Sequence, residues 1–188
     1  VNPTAAGNSL TYVAIGSILD SDSVRKLTVF RAMGTAPTAG SIVFDFGTQT
    51  QTGCVWSIVE FSGVDTTGTA GSGAVVQSDT EASAGAVSSL TSTLGAFSSV
   101  NNATFGAFGY PLNSGTGTAG SGFTEVGERF QSSPNQAILS IFRSDNDTTV
   151  DMGIGVDAVP ILGISAEIKA EVVTSAIAGY RSLLGVGI

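Results

Sequence analysis

The sequence predicts an all-β protein: an antiparallel β-sandwich, jelly-roll-like, with a C-terminal extension. Three observations carry that reading. Short apolar, β-branched and aromatic runs are separated throughout by Gly, Ser, Thr, Ala and Asn, including 25 glycines. Several runs alternate with period two, which turns one face of a strand towards a core. A chain of 188 residues with 42% apolar content is enough for one large core rather than two small ones. The sandwich is assigned to residues 1–170, and residues 171–188 to a C-terminal arm or an additional strand.

The elements follow in chain order. The first strand is read at Leu10 to Ile15. In Arg25 to Met33, Leu27 and Val29 share a face with Arg25, Arg31 and Met33, so the ends of that face should be wet. Ser41 to Phe46 places Ile42, Phe44 and Phe46 inward and Asp45 outward. Cys54 to Phe61 is apolar on both faces, with Cys54, Trp56 and Ile58 on one and Val55, Val59 and Phe61 on the other. It is therefore expected to be a central strand covered on both sides, with Cys54 a buried, inert thiol. Further strands are expected at Ala74 to Gln77, Val87 to Leu94, Ala103 to Tyr110, Gly122 to Glu128, Ala137 to Arg143 and Val150 to Val156, with Phe97, Phe105 and Phe108 in the core. Leu162 to Ala170 alternates most clearly: Leu162, Ile164, Ala166 and Ile168 point one way and Ser165, Glu167 and Lys169 the other, as in a half-buried strand. Thr66 to Gly73 and Asn113 to Gly122, which share TAGSG, read as surface loops poor in packing groups. The tail Glu171 to Ile188 is apolar, and four aliphatics in its last six residues would be costly to leave in water, at roughly 1.5–3 kcal/mol each. It should be docked, with a contact on a neighbouring subunit favoured over one on its own.

Composition narrows the chemistry. Only 12% of residues are charged, against roughly 25% in an average soluble domain, so the surface must be largely hydroxyls, amides and backbone. A formal net charge of −8, with scattered basic residues, argues against nucleic acid and anionic membrane as partners. No run approaches the roughly 20 apolar residues of a membrane-spanning helix. The opening Val1-Asn2-Pro3-Thr4 has neither initiator Met nor signal peptide, which reads as a processed chain or part of a longer one.

Histidine is absent, which removes Ser-His-Asp and Cys-His catalysis and histidine-ligated metal sites within this chain. A phosphate-cradling Gly-Lys-Ser or Gly-Lys-Thr is missing as well. Paired carboxylates are the remaining catalytic option, as in glycosidases. The candidates are Glu60, Glu125 and Glu128, with Asp45 and Glu167 as outsiders. Glu60 shares the face of Trp56 and Ile58, whereas Glu125 and Glu128 fall on opposite faces of a regular strand. Oxygen-rich turns at Asp145-Asn146-Asp147 with Asp151, and at Asp20 and Asp22, have the chemistry for calcium but not the spacing of an EF-hand loop. Asn102-Ala103-Thr104 and Asn146-Asp147-Thr148 match the short glycosylation triplet. No catalytic residue, cofactor or metal ligand is assigned.

Trp56-Ser57-Ile58-Val59-Glu60-Phe61-Ser62-Gly63-Val64-Asp65-Thr66, followed by Gly120-Ser121-Gly122-Phe123-Thr124-Glu125-Val126-Gly127-Glu128, resembles the β-sandwich modules of phage virion proteins and of repeats in bacterial surface proteins. Gly163 to Ile168 resembles their last strand, and the likeness runs from about Leu10 to Ala170. It implies a sandwich fold and transfers no catalytic residue. The chain starts almost at the point where such modules usually have further strands upstream, which implies an absent or processed N-terminal part or a strand supplied by a neighbour.

The functional expectation is a non-enzymatic structural protein of a virion, a phage capsid decoration or cement protein or a tail or fibre component, assembled in many copies with itself or with other virion proteins. The alternative is a carbohydrate-binding or adhesin module at a bacterial cell surface, meeting a surface glycan and exposing a shallow aromatic groove. A glycosidase-like sandwich stands third.

Overall fold

A computed structural model of the chain describes residues 1–155 and 158–171. It is all-β, and every strand pairing in it is antiparallel. The strands are β1 (Thr4–Gly7), β2 (Leu10–Thr11), β3 (Val13–Leu19), β4 (Lys26–Arg31), β5 (Ile42–Asp45), β6 (Val75–Ala82), β7 (Ser89–Thr93), β8 (Ala103–Tyr110), β9 (Gly117–Ala119), β10 (Thr124–Ser132), β11 (Asn135–Arg143), β12 (Thr149–Ile154) and β13 (Leu162–Ile168).

One five-stranded sheet, in the order β10-β11-β8-β13-β6, organises the rest. Alternation along β8 and β11 sends Phe108, Tyr110, Leu139 and Ile141 to one face, where they meet Leu90, Val150, Met152 and Ile154 of the sheet β7-β12-β9. The opposite face presents Phe105, Ala107, Leu162, Ile164, Ala166 and Ile168. It is covered by Ile15, Ile18, Leu27 and Val29 of the β3-β4 hairpin and by Val59, Phe61 and Val64 from an extended segment before β6. A small sheet, β2-β1-β5, extends this second cover, with Phe30 and Phe44 6.4 Å apart between ring centroids.

Period-two patterning located most strands within a few residues, and Ile42, Phe44 and Phe46 are the less exposed side chains of their run, with Asp45 exposed. Four readings change. Leu162 to Ala170 is not half-buried: β13 lies between β8 and β6 with a layer on each side, so Ser165 and Glu167 are as buried as Ile164. Asn113 to Gly122 is not all loop, because Gly117–Ala119 pairs with β12 through backbone groups alone. β1 has no apolar signature and forms because its backbone completes the ladder to β5. Cys54 to Phe61 is not a central strand. It is extended and alternates faithfully, with Val55, Ser57, Val59 and Phe61 half-buried, but Cys54, Trp56, Ile58 and Glu60 face solvent. The thiol predicted to be buried is thus on an exposed residue. The arm assigned to residues 171–188 lies outside the described residues beyond Glu171, as do Val156 and the docking expected of the tail.

Where β13 ends, its continuation is stapled to the residues preceding β6. Asp65 N donates to Lys169 O at 2.9 Å, Glu171 N donates to Gly63 O at 2.8 Å, and Lys169 Nζ lies 2.6 Å from the Asp65 carboxylate. The hydrogen bonds from Lys169 and from Thr67 hold the Asp65 carboxyl well below the usual carboxylate range. A carboxyl depressed in the folded state stabilises above its ordinary pKa of about 4, and that contribution is lost as pH falls through the lower, folded value. Asp65→Asn is therefore expected to lower the melting temperature at neutral pH and to shrink its decline in acid, as measured by thermal unfolding across a pH series.

Candidate functional site

Among the described residues, four of the ten exposed large apolar side chains, the two exposed aromatic ones included, collect at one place. Trp56 (57% exposed), Ile58 (63%), Val126 (43%) and Phe130 (57%) all line an open groove of about 730 Å³ between residues 54–58 and β10. Arg129, Gln131 and Ser132 supply its polar lining. Isolated exposed apolar residues are ordinary, whereas a contiguous set rimmed by polar groups marks a surface for binding.

Each wall has a local cause. Among the described residues β10 is an edge strand that pairs only with β11, so one row of its backbone groups faces away from the sheet. It also carries a bulge: Glu125 pairs with Ile141 and Gly127 with Ser140, leaving Val126 as an extra residue. The other wall is set by the alternation of residues 54–61, whose inward side chains are anchored by Phe61 against Phe105 (5.7 Å, edge-on) and Phe142 (5.4 Å). With Phe61 held, Trp56 and Ile58 must point out. Partial burial pushes the Cys54 thiol pKa up, which favours the unreactive thiol form.

The carboxylates singled out in the sequence do not assemble. Glu60 is exposed on the outer face beside Ile58 and does not line the groove. Glu125 and Glu128 share a face, contrary to the regular-strand expectation, because the bulge at Val126 returns Glu125 to the side of its partner Ile141 while Glu128 pairs with Leu139. Glu128 is occupied, however, accepting from the Tyr110 hydroxyl and from Gly117 N at 2.9 Å. Burial and the neighbouring Glu128 push the Tyr110 pKa far above its ordinary value, so this tyrosine stays a protonated donor. The pair holds β9 and β10 to the sheet. Asp45 accepts from Gly47 N in an exposed turn. Glu167 is fully buried on β13, three strands across the sheet from β10, within its own hydrogen-bond network.

The oxygen-rich turns are likewise engaged. Arg143 pairs with both Asp145 and Asp147, which raises the Arg143 pKa, and Asp147 also accepts from Thr149 N at 2.9 Å. Asp20 caps its turn by accepting from Val24 N, Arg25 N and the Arg25 guanidinium. Among the described residues, no three His, Cys, Asp or Glu side chains come together as a metal set. Of the two triplet asparagines, Asn102 is buried against Glu167 and Asn146 is exposed.

Sequence reasoning missed the groove because it scored residues 54–61 for apolarity on both faces and took that for burial on both. The signal was there in part: Glu60 sits among Trp56 and Ile58 on one face, which a fully buried strand would not tolerate unpaired. Comparison with known protein families, curated proteins and solved structures finds no match to this chain.

Proposed function

We propose that this protein is a non-enzymatic structural component of a virion, a phage capsid decoration or cement protein or a tail or fibre part, assembled in many copies through contacts with itself or with other virion proteins. The jelly-roll assignment belongs to the same proposal. The observation that carries it is the groove wall of Trp56, Ile58, Val126 and Phe130 beside the open edge of β10. Apolar side chains of this size are stabilised by roughly 1.5–3 kcal/mol each on full burial, so their clustered exposure favours a partner surface over water. A sparsely charged surface suits close packing between copies, since obligate interfaces are large and apolar.

A second reading rests on the same place. Trp56 and Phe130 flanked by Arg129, Gln131 and Ser132 have the make-up of a shallow sugar-stacking site, as a carbohydrate-binding or adhesin module at a cell surface would need.

Sedimentation and native mass spectrometry separate the two. On the structural reading the protein is an oligomer at micromolar concentration, and Trp56→Ser combined with Phe130→Ser reduces it to a monomer. Its melting temperature should fall and lose the dependence on protein concentration that association gives the unsubstituted protein, because self-association stabilises the folded state by mass action. A wild-type monomer that binds glycans through Trp56 would replace the first reading with the second.

A further inference from the structure

The apolar side chains of the groove form a stripe whose two ends differ in charge. Residues 53–58 run antiparallel to β10: a methyl group at Gly53 would meet Gln131 Nε2, and one at Gly127 would meet Ser57 Oγ. Further along, the Phe61 ring lies 5.4 Å from that of Phe142, the ladder partner of Thr124. Arg129 is therefore level with Val55, at the Trp56 end of the stripe. Glu60 stands at the opposite end, beyond Ile58, and Glu125 ends the stripe there on β10.

Within residues 50–62 and β10 the charged side chains are Glu60, Glu125, Glu128 and Arg129. Glu128 is turned to the Tyr110 hydroxyl and to Gly117 N. One end of the stripe thus carries an exposed cation and the other end two exposed carboxylates. The levels of Arg129 and Glu60 are five residues of extended chain apart, about 16 Å. Trp56, Ile58 and Val126 fill the interval.

A surface ordered as cation, apolar stripe and anion is complementary to itself when reversed. A two-fold axis across the stripe reverses it and closes a pair in which each contact occurs twice. Parallel apposition would instead set Arg129 on Arg129 and Glu60 on Glu60, which like-charge repulsion opposes. Two chains that each carry a net charge of −8 also repel at long range, so contact is favoured where a cation of one meets a carboxylate of the other.

We propose that the groove is covered by the same groove of a second copy, related by a two-fold axis crossing between Ser57 and Ile58, so that Arg129 of each copy meets Glu60 of the other. This pairing rests on the self-assembling reading of the protein and gives that assembly one contact and its orientation. Ile58 and Val126 come to the axis against their own counterparts, and Trp56 falls between Ile58 and Glu60 of the second copy. The charge pairs form a polar rim around the buried stripe. Such pairs set orientation more than affinity, whereas like charges in the same places are costly.

Charge reversal in the full chain tests the orientation. Arg129→Glu alone and Glu60→Arg alone should each raise the dimer dissociation constant at least about tenfold, because each brings like charges together twice. Mixed in equal amounts, the two variants should associate within about threefold of the unsubstituted protein, since every rim contact of the mixed pair then joins opposite charges. Sedimentation equilibrium measures the three affinities, and native mass spectrometry identifies the mixed pair. An oligomer that neither reversal weakens, or one that both weaken without recovery on mixing, would overturn this pairing and leave the self-assembling reading in place. A monomeric unsubstituted protein would overturn both and assign the groove to a glycan. The axis has its own probe. In a Cys54→Ser background, Ile58→Cys should form a disulfide-linked dimer at least about tenfold faster than Val100→Cys, which is more exposed but does not line the groove. Equal rates would also overturn the pairing.

Discussion

Replacing Glu167 by Ala should destabilise the protein by about 3–5 kcal/mol, the largest single-site loss expected outside the apolar core. This carboxylate is fully buried in β13 and, among the described residues, has no cation beside it. Its charge is instead met by hydrogen bonds: Oε1 accepts from Ser98 N and Ser98 Oγ at 2.9 Å and from Asn102 Nδ2 at 2.5 Å, and Oε2 accepts from Gln77 Nε2 at 2.7 Å. Those donors come from β6 and from the loop before β8, so one side chain ties three parts of the chain together. Alanine would leave the buried Asn102 amide without its carboxylate acceptor, and would remove the anchor that holds half-buried Gln77 and exposed Ser98 to β13. Glu167→Gln is the sharper test. The Gln77 amide cannot turn to suit it, because Gln77 Oε1 already accepts from Gly95 N at 2.9 Å. The new amide would then face Gln77 Nε2 donor to donor, and a loss of about 2 kcal/mol is expected. For a chain of this size each kcal/mol moves the melting temperature by about 2–4 °C.

The same site carries a pH signature. Burial by itself would raise the Glu167 pKa, but the hydrogen bonds from Asn102, Gln77 and Ser98 outweigh it and hold the carboxyl below its ordinary value. The unfolded chain therefore binds the extra proton first as pH falls. The stability Glu167 contributes is complete above its ordinary pKa of about 4.3 and drains away through the lower, folded value. Chemical denaturation in a pH series should show Glu167→Gln with a flatter acid limb than the unsubstituted protein. An equal slope in both would mean that the carboxyl has the same pKa folded and unfolded, so that its hydrogen bonds do not favour the charged form.

Glu167 also marks where the sequence stops being legible. Alternation in Leu162 to Ile168 correctly puts Glu167 opposite Ile164 and Ile168, but alternation only separates two faces. It does not say whether the polar face meets water, and here that face meets the loop carrying Ser98 and Asn102, brought close by pairing between residues far apart in sequence. The error at residues 54–61 is the mirror image: an apolar outer face was taken as covered, and Trp56 and Ile58 are open. The bulge at Val126 was invisible for a similar reason, since an inserted residue is defined by its partner strand, and it alone puts Glu125 and Glu128 on one face. Strands such as β8 and β11 were readable because each is an unbroken run rich in large apolar side chains. β1 and β9 were not, because backbone groups make their contacts.

Small residues in the core have their own test. Phe108 is fully buried and lies across its ladder partner Gly163 on β13. A methyl group at Gly163 would come within 2.9 Å of Phe108 Cε1 and 3.2 Å of Leu90 Cδ2, and one at Gly106 within 2.7 Å of Val150 Cγ1 and 3.1 Å of Phe108 Cε2. The ring thus occupies the hollow that two glycines leave on adjacent strands. Phe108→Ala should cost about 3–5 kcal/mol, through lost burial plus the cavity that remains. Gly163→Ala should cost about 1–3 kcal/mol by overpacking, since Leu90 and Phe108 are both enclosed and neither has free space to retreat into. The informative variant is the double one. Phe108→Leu removes the ring atoms that the added methyl group would strike, so Gly163→Ala should cost at least about 0.5 kcal/mol less in the Phe108→Leu background than in the native one. Denaturant unfolding of the four proteins measures this directly. Strict additivity would show that the glycine is required by the backbone of β13 and not by the ring, in which case the hollow does not specify how β8 and β13 sit together.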